Sequence, residues 1–205
     1  MSDHTPDAAP RRMPVRGIYK ELFRKSIHLC SAVIPTVLYR AYVPTLVCLG
    51  AAVVVYSICE YIRRRGGTVP IVSKITETAA RERDEHRFVG GPVTLVFGII
   101  LAAVLLPPLP ARIGIYALSF GDGLASLVGR LCGRVHIPGT HGKTVAGSVA
   151  CFVAVLGSSY AVCRQFSVSL VLAVAAMVIE VVPLGDFDNV VIPPLIGGLA
   201  VVLLP

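Results

Sequence analysis

Lys143 stands in the stretch Gly139-Thr140-His141-Gly142-Lys143-Thr144-Val145-Ala146-Gly147-Ser148, whose residue types suit a phosphate. A glycine-flanked loop that runs into a helix presents unpaired backbone N–H groups at the positive end of the helix dipole. Lys143 would add a cation there, and Thr144 and Ser148 would stack one turn apart. A P-loop is excluded. That pattern requires glycine five positions before Gly142, where Ile137 stands, and a parallel-sheet strand ahead of it. The plainer alternative is a lysine that marks membrane topology beside small-residue packing.

Two acidic clusters accompany it. In Ser119-Phe120-Gly121-Asp122-Gly123-Leu124-Ala125-Ser126-Leu127-Val128-Gly129-Arg130-Leu131-Cys132-Gly133, helical spacing puts Asp122, Ser126, Gly129 and Gly133 on one face. Small residues on that face admit a close neighbour, either another helix or a ligand. Packing alone does not require a carboxylate, so Asp122 reads as functional. In Glu180-Val181-Val182-Pro183-Leu184-Gly185-Asp186-Phe187-Asp188-Asn189, three carboxylates and an amide supply the oxygen donors that Mg²⁺ prefers. An acidic turn is the alternative. A weaker fourth cluster, Arg24-Lys25-Ser26-Ile27-His28, resembles ordinary interfacial anchoring, with His28 one turn after Arg24.

These groups must be positioned by membrane helices. The 205 residues are 55% hydrophobic and 15% charged, with a mean hydropathy of +0.75. Soluble domains carry about 25% charge. The uncharged runs are apolar all round, which in a helix implies burial in lipid or among other helices. Candidate spans are Ile27 to Tyr39, Ala41 to Ile62, Pro92 to Ala111, Ile113 to Gly129, Val145 to Cys163, Phe166 to Val182 and Val190 to Leu204. The expected fold is all-α, a polytopic bundle of about seven transmembrane helices with a cytoplasmic N-terminus.

Charge placement supports that topology through the positive-inside rule. Of 19 Lys and Arg residues, only Arg40, Arg112 and Arg164 fall on the outer side, and all the polar clusters come to the cytoplasmic side. The net charge of +7 therefore belongs to topology. With no Trp and few aromatics among the basic residues, nucleic acid is not an expected partner. The six cysteines form no C-x-x-C pair and read as small buried hydrophobes. Residues 1–16 read as a disordered polar tail without a cleavable signal peptide, and residues 17–205 as one integral membrane catalytic domain. The long loop from Arg63 to Gly91 contains a mixed-charge stretch, Arg81 to Arg87, that fits an interfacial helix.

Taken in order, the clusters resemble the CTP-dependent lipid kinases: dolichol kinase, phytol kinase and the yeast-type diacylglycerol kinase. The R-K-x-x-H of that family is matched by Arg24, Lys25 and His28. Its G-D-x-x-A-x-x-x-G is matched by Gly121, Asp122, Ala125 and Gly129, and its K-[ST]-x-x-G-S by Lys143, Thr144, Gly147 and Ser148. An acidic residue followed by D-N is matched by Glu180, Asp188 and Asn189. The resemblance covers Arg24 to the C-terminus. It implies γ-phosphoryl transfer from CTP to a lipid alcohol at the cytoplasmic face, with Mg²⁺.

In that reading Lys143 and the N–H groups of Gly142 to Thr144 hold the triphosphate, with Arg24, Lys25 and His28 also on the nucleotide. Asp122, Asp188 and Glu180 are metal ligands, one of them alternatively the base, and Asn189 orients a ligand or a water. Gly121, Gly129 and Gly147 let backbone approach the nucleotide, and Ser148 completes the binding set. A related family, the phosphatidate cytidylyltransferases, also uses CTP. It typically carries a K-D motif and a P-G-H-G-G-x-x-D-R segment, and neither is present here. A small transporter is the non-enzymatic alternative, but its carboxylates would be spread along a path across the bilayer. The small chain suggests a bacterial inner membrane. Oligomeric state is open, a homo-oligomer included.

Overall fold

A computed structural model describes residues 15–67, 69, 88–140 and 142–204, and these are helical with no strand among them. The element order is α1 (Val15–Cys30), a short 3₁₀ turn (Ser31–Val33), α2 (Ile34–Arg40), α3 (Tyr42–Arg64), α4 (Gly91–Leu105) and α5 (Pro108–Tyr116). A π-helical stretch (Ala117–Asp122) then leads into α6 (Gly123–Cys132), followed by α7 (Val145–Cys163), α8 (Phe166–Val181) and α9 (Asp188–Leu203). The mixed-charge stretch Arg81 to Arg87 and the first 14 residues lie outside the described residues.

Two helices among the described residues, α3 and α7, are both long and apolar enough to cross a bilayer. Three more, α4, α8 and α9, are apolar but shorter, at 15, 16 and 16 residues. The first apolar run is not one straight helix. It breaks at the 3₁₀ turn ahead of α2, where Pro35 occupies the first turn and has no N–H to continue the preceding ladder.

The core is aliphatic. Ile113, Ile115, Leu118, Ile99, Leu172, Val155 and Ile196 are fully buried between α4, α5, α7, α8 and α9. Close helix approach depends on glycine at defined points. A Cβ on Gly98 of α4 would sit 1.9 Å from the carbonyl oxygen of Asn189, and one on Gly114 of α5 would sit 2.0 Å from that of Pro193. Both contacts set α9 directly against its neighbours.

By contrast, α3 is peripheral. It touches α2 and α4 and leaves Val43, Val47, Val54, Val55 and Ile58 more than half exposed. An apolar surface of that kind, running along a 23-residue helix, is what hydrocarbon covers. At its end, buried Glu60 accepts two hydrogen bonds from Arg63 and one from the backbone N–H of Val89. Tyr56 donates to the Val89 carbonyl oxygen at 3.0 Å. These bonds hold the start of α4 against the end of α3.

Candidate active site

The polar residues picked out in the sequence converge at one end of the bundle, where α1, α6, α7, α8 and the head of α9 meet. The loop before α7 shows how backbone geometry presents Lys143. An isolated antiparallel bridge joins His136 and Thr144, the Ile137 N–H donates to the Lys143 carbonyl oxygen, and the Val145 N–H donates to that of Val135. Gly139 and Gly142 have φ of +79° and +94°, a left-handed conformation that glycine adopts without steric cost. The strand of a P-loop is absent from this loop.

Thr144 then caps α7, its hydroxyl accepting from the Gly147 N–H at 3.2 Å. The same hydroxyl lies 2.9 Å from a Cβ placed on Gly129 and 2.5 Å from one placed on Gly133. A Cβ on Gly147 would stand 2.7 Å from the Ala125 carbonyl oxygen. Gly129, Gly133 and Gly147 therefore form a seam between α6 and α7, filled by protein. Gly121 likewise faces Cys151 and Val155 of α7. This is the helix-packing use of small residues.

The expected common face on α6 divides between two neighbours. Gly129 and Gly133 face α7, whereas Asp122 and Ser126 face α1. Asp122 ends the π-helical stretch, a local geometry frequent at functional sites. Its carboxylate accepts from the Lys25 ammonium, and Nδ1 of His28 lies 3.1 Å from the same oxygen. All three side chains are within 4% of complete burial.

A parallel pair lies across α7. Lys143 donates to Glu180 at 2.6 Å, and Ser148 donates to the other Glu180 oxygen at 3.5 Å. Glu180 is 5% exposed and Lys143 27%. The two pairs share surroundings, because buried Cys151, one turn beyond Ser148, lies within electrostatic reach of Asp122, Glu180 and Lys143.

Asp188 and Asn189 open α9. One Asp188 oxygen accepts the Asn189 N–H at 2.8 Å, and among the described residues Asp188 has no cation at ion-pair distance. It lies within electrostatic reach of Asp122, Lys25 and Lys143. The Asn189 amide donates to Thr94 at 3.0 Å and towards the Gly91 carbonyl oxygen at 3.5 Å. Its Oδ1 is buried without a hydrogen-bond partner among the described residues. Asn189 thus links α9 to the head of α4.

Sequence reading missed Glu21, a 5% exposed carboxylate on α1. It accepts from Arg24 at 2.8 Å and from Ser126 at 2.8 Å, and pairs with Arg130 at 3.4 Å. Burial acts to raise its pKa, but Arg24 beside it outweighs that and holds the carboxyl down at about 2. Arg24 also reaches Asp186 in the turn before α9, at 3.5 Å. The signal was present: Glu21 lies three residues before Arg24 and so shares its helix face.

Fold and site together define an all-α, apolar helical protein with a buried ionic centre at one end. No family model matches the chain, and no solved structure does. The chain is similar to a probable phytol kinase of rice, 28% identical across 87% of this chain and 63% of the relative. It is similar to the dolichol kinase of Saccharomyces cerevisiae, 29% identical across 57% of this chain and 22% of that enzyme. An uncharacterized protein of Methanocaldococcus jannaschii is 27% identical across 65% of this chain and 68% of its own length. The chain spans less than two thirds of the plant kinases it matches. Two helices among the described residues are of bilayer length and fit a membrane protein.

Proposed function

We propose that this chain is a CTP-dependent lipid kinase that transfers the γ-phosphoryl group to a lipid alcohol, either a polyprenol, phytol or a diacylglycerol. The observation that carries this reading is the pairing of Lys143, at the capped head of α7, with Glu180, beside Asp188, which lies within electrostatic reach of Lys143, Lys25 and Asp122. Phosphoryl transfer needs positioning and charge neutralisation more than covalent chemistry. This cluster contains both, at the end of an apolar bundle where a lipid headgroup and a soluble nucleotide can meet. The relatives named phytol kinase and dolichol kinase point the same way.

In this mechanism the lipid hydroxyl oxygen attacks the γ-phosphorus, the bond to the β-phosphate oxygen breaks, and CDP leaves. Asp122 or Asp188 accepts the hydroxyl proton. Lys143 and the N–H groups entering α7 hold the triphosphate, and Arg24 and Lys25 neutralise it from α1. Among the described residues no three His, Cys, Asp or Glu side chains converge as a ready-made metal cage. Asp188, with no cation at ion-pair distance among the described residues, nevertheless fits Mg²⁺, which binds through one or two carboxylates plus substrate phosphates. When bound, the metal supplies charge stabilisation to the phosphate oxygens. The same reading gives the chain seven crossings, a cytoplasmic N-terminus and a cytoplasmic active site.

The test uses purified protein in detergent with Mg²⁺, γ-³²P-labelled CTP and, in parallel, a polyprenol, phytol, a diacylglycerol or phosphatidate. Label entering an alcohol, and lost in Lys143→Ala and Asp122→Ala, is the expected result. Label released as pyrophosphate, with phosphatidate alone, would establish a cytidylyltransferase instead.

A further inference from the structure

Asp188, the first residue of α9, is held in place from another helix. Neither α4 nor α9 has a side-chain cap at its start, and uncapped helix ends fray. From residue 181 to residue 191, Asn189 is the one buried residue. Its amide donates at 3.0 Å to the hydroxyl oxygen of Thr94, in the first turn of α4, and that hydroxyl donates at 3.0 Å to the Gly91 carbonyl oxygen. One residue back along the chain, Asp188 accepts the Asn189 N–H at 2.8 Å. We propose that Thr94 is a positioning residue for phosphoryl transfer, acting through Asn189 to fix Asp188. The inference rests on the kinase reading and deepens it, since that reading gives Asp188 its part in the chemistry.

The physical reason is the source of rigidity in this segment. The turn that leads into α9 contains Gly185 at φ +71° and ends on exposed Phe187, so it gives Asp188 little packing. Arg24 tethers that turn at Asp186, but at 3.5 Å and between partly exposed side chains, where an ion pair contributes little. The Thr94–Asn189 bond is shorter, and Asn189 is 1% exposed. Behind it stands a firm support. A Cβ on Gly98 would sit 1.9 Å from the Asn189 carbonyl oxygen, so the backbones of α4 and α9 are in direct contact one turn beyond Thr94. Ahead of α4, Val89 is gripped from α3 on both sides, by Tyr56 at its carbonyl oxygen and by Glu60 at its N–H. The placement of Asp188 is thereby referred, through Asn189 and Thr94, to the packed body of the bundle. A misplacement of about 1 Å in a catalytic group can cost about 100-fold in rate.

The test compares two variants of the full chain in detergent. Thr94→Val keeps the side-chain volume and removes the hydroxyl, whereas Thr94→Ser keeps the hydroxyl. Transfer of label from γ-³²P-labelled CTP to the lipid alcohol is followed in each. Thr94→Val is expected to lower kcat by about 10- to 100-fold, with KM for CTP and the unfolding temperature close to those of the wild type. Thr94→Ser should restore turnover. In an Asn189→Ala chain, Thr94→Val should have no further effect, because the two residues act on Asp188 in series. A readout independent of activity is a nitroxide at Phe187→Cys, on chains otherwise free of cysteine. Its mobility by electron paramagnetic resonance should rise with Thr94→Val and not with Thr94→Ser. If Thr94→Val does not fold, Thr94→Ala takes its place in each comparison. Turnover that survives loss of the hydroxyl, or that falls only in step with the unfolding temperature, would overturn the positioning role and leave the kinase standing. A wild type that phosphorylates no lipid alcohol would overturn both.

Discussion

Lys25 and Asp122 form a buried ion pair between residues 97 positions apart in the chain, joining α1 to the end of the π-helical stretch. Each side chain is almost fully buried, so each needs the other. Removing one partner of such a pair typically costs about 3–5 kcal/mol, because the survivor is left uncompensated, while removing both costs much less. Lys25→Met and Asp122→Leu are each expected to lower thermal stability in detergent substantially. The double variant should recover most of the loss. Additive effects of the two changes would show that the pair is not the interaction that matters.

Asp188 should behave in the opposite manner. Having no cation partner among the described residues, its carboxylate contributes little to folding. Asp188→Asn keeps the volume and a hydrogen-bond acceptor. We expect an unfolding temperature close to the wild type and a loss of phosphoryl transfer of about 100-fold or more, the scale of a lost electrostatic stabiliser. A large drop in stability with retained turnover would assign Asp188 to structure.

The glycine seams separate into tight and open positions. Gly98→Ala and Gly147→Ala drive a methyl group against backbone oxygens at 1.9 and 2.7 Å, contacts no rotamer change can relieve. Overpacking of this kind costs about 1–3 kcal/mol. Gly157→Ala and Gly198→Ala meet nothing within 4 Å and lie within α7 and α9. They should be neutral or slightly stabilising. Chemical denaturation of the four variants in detergent gives the ranking directly.

Thr144 serves both as helix cap and as the filler between Gly129 and Gly133. Loss of a threonine cap costs about 1 kcal/mol. Thr144→Ser retains the hydroxyl and should keep most of the stability, whereas Thr144→Ala should lose the cap. Because the capped turn presents Lys143, the Michaelis constant for CTP should rise in Thr144→Ala more than turnover falls.

Orientation can be read with a membrane-impermeant maleimide on chains otherwise free of cysteine. Cys132, before α7, should label from the face that carries Lys143, and Arg164→Cys, at the far end of α7, from the opposite face. Labelling of both from one face would mean that α7 does not cross.

Much of this protein was legible in one dimension, for a definite physical reason. Apolar runs too long and too uniform for amphipathic helices announced a helical chain with helices of bilayer length, since solvent preference is a property of composition. Asp122, Lys143, Glu180 and Asp188 stood out because ionisable groups rarely occur in such surroundings without a role. The loop before α7 was legible as a glycine-flanked entry to a helix; the left-handed backbone at Gly139 and Gly142 and the cap at Thr144 came with the structure.

What only tertiary structure decided is who partners whom. Nothing local states that Lys25 belongs to Asp122, Lys143 to Glu180, or Arg24 to both Glu21 and Asp186. Those pairings arise because close packing at Gly98, Gly114, Gly129 and Gly147 brings particular helix ends to one place. The same packing set Gly129 and Gly147 in a helix seam, and it separated Asp122 and Ser126 from Gly129 and Gly133 by placing α6 between α1 and α7. Residue type determines which charges must be compensated. Helix packing determines which partner compensates them.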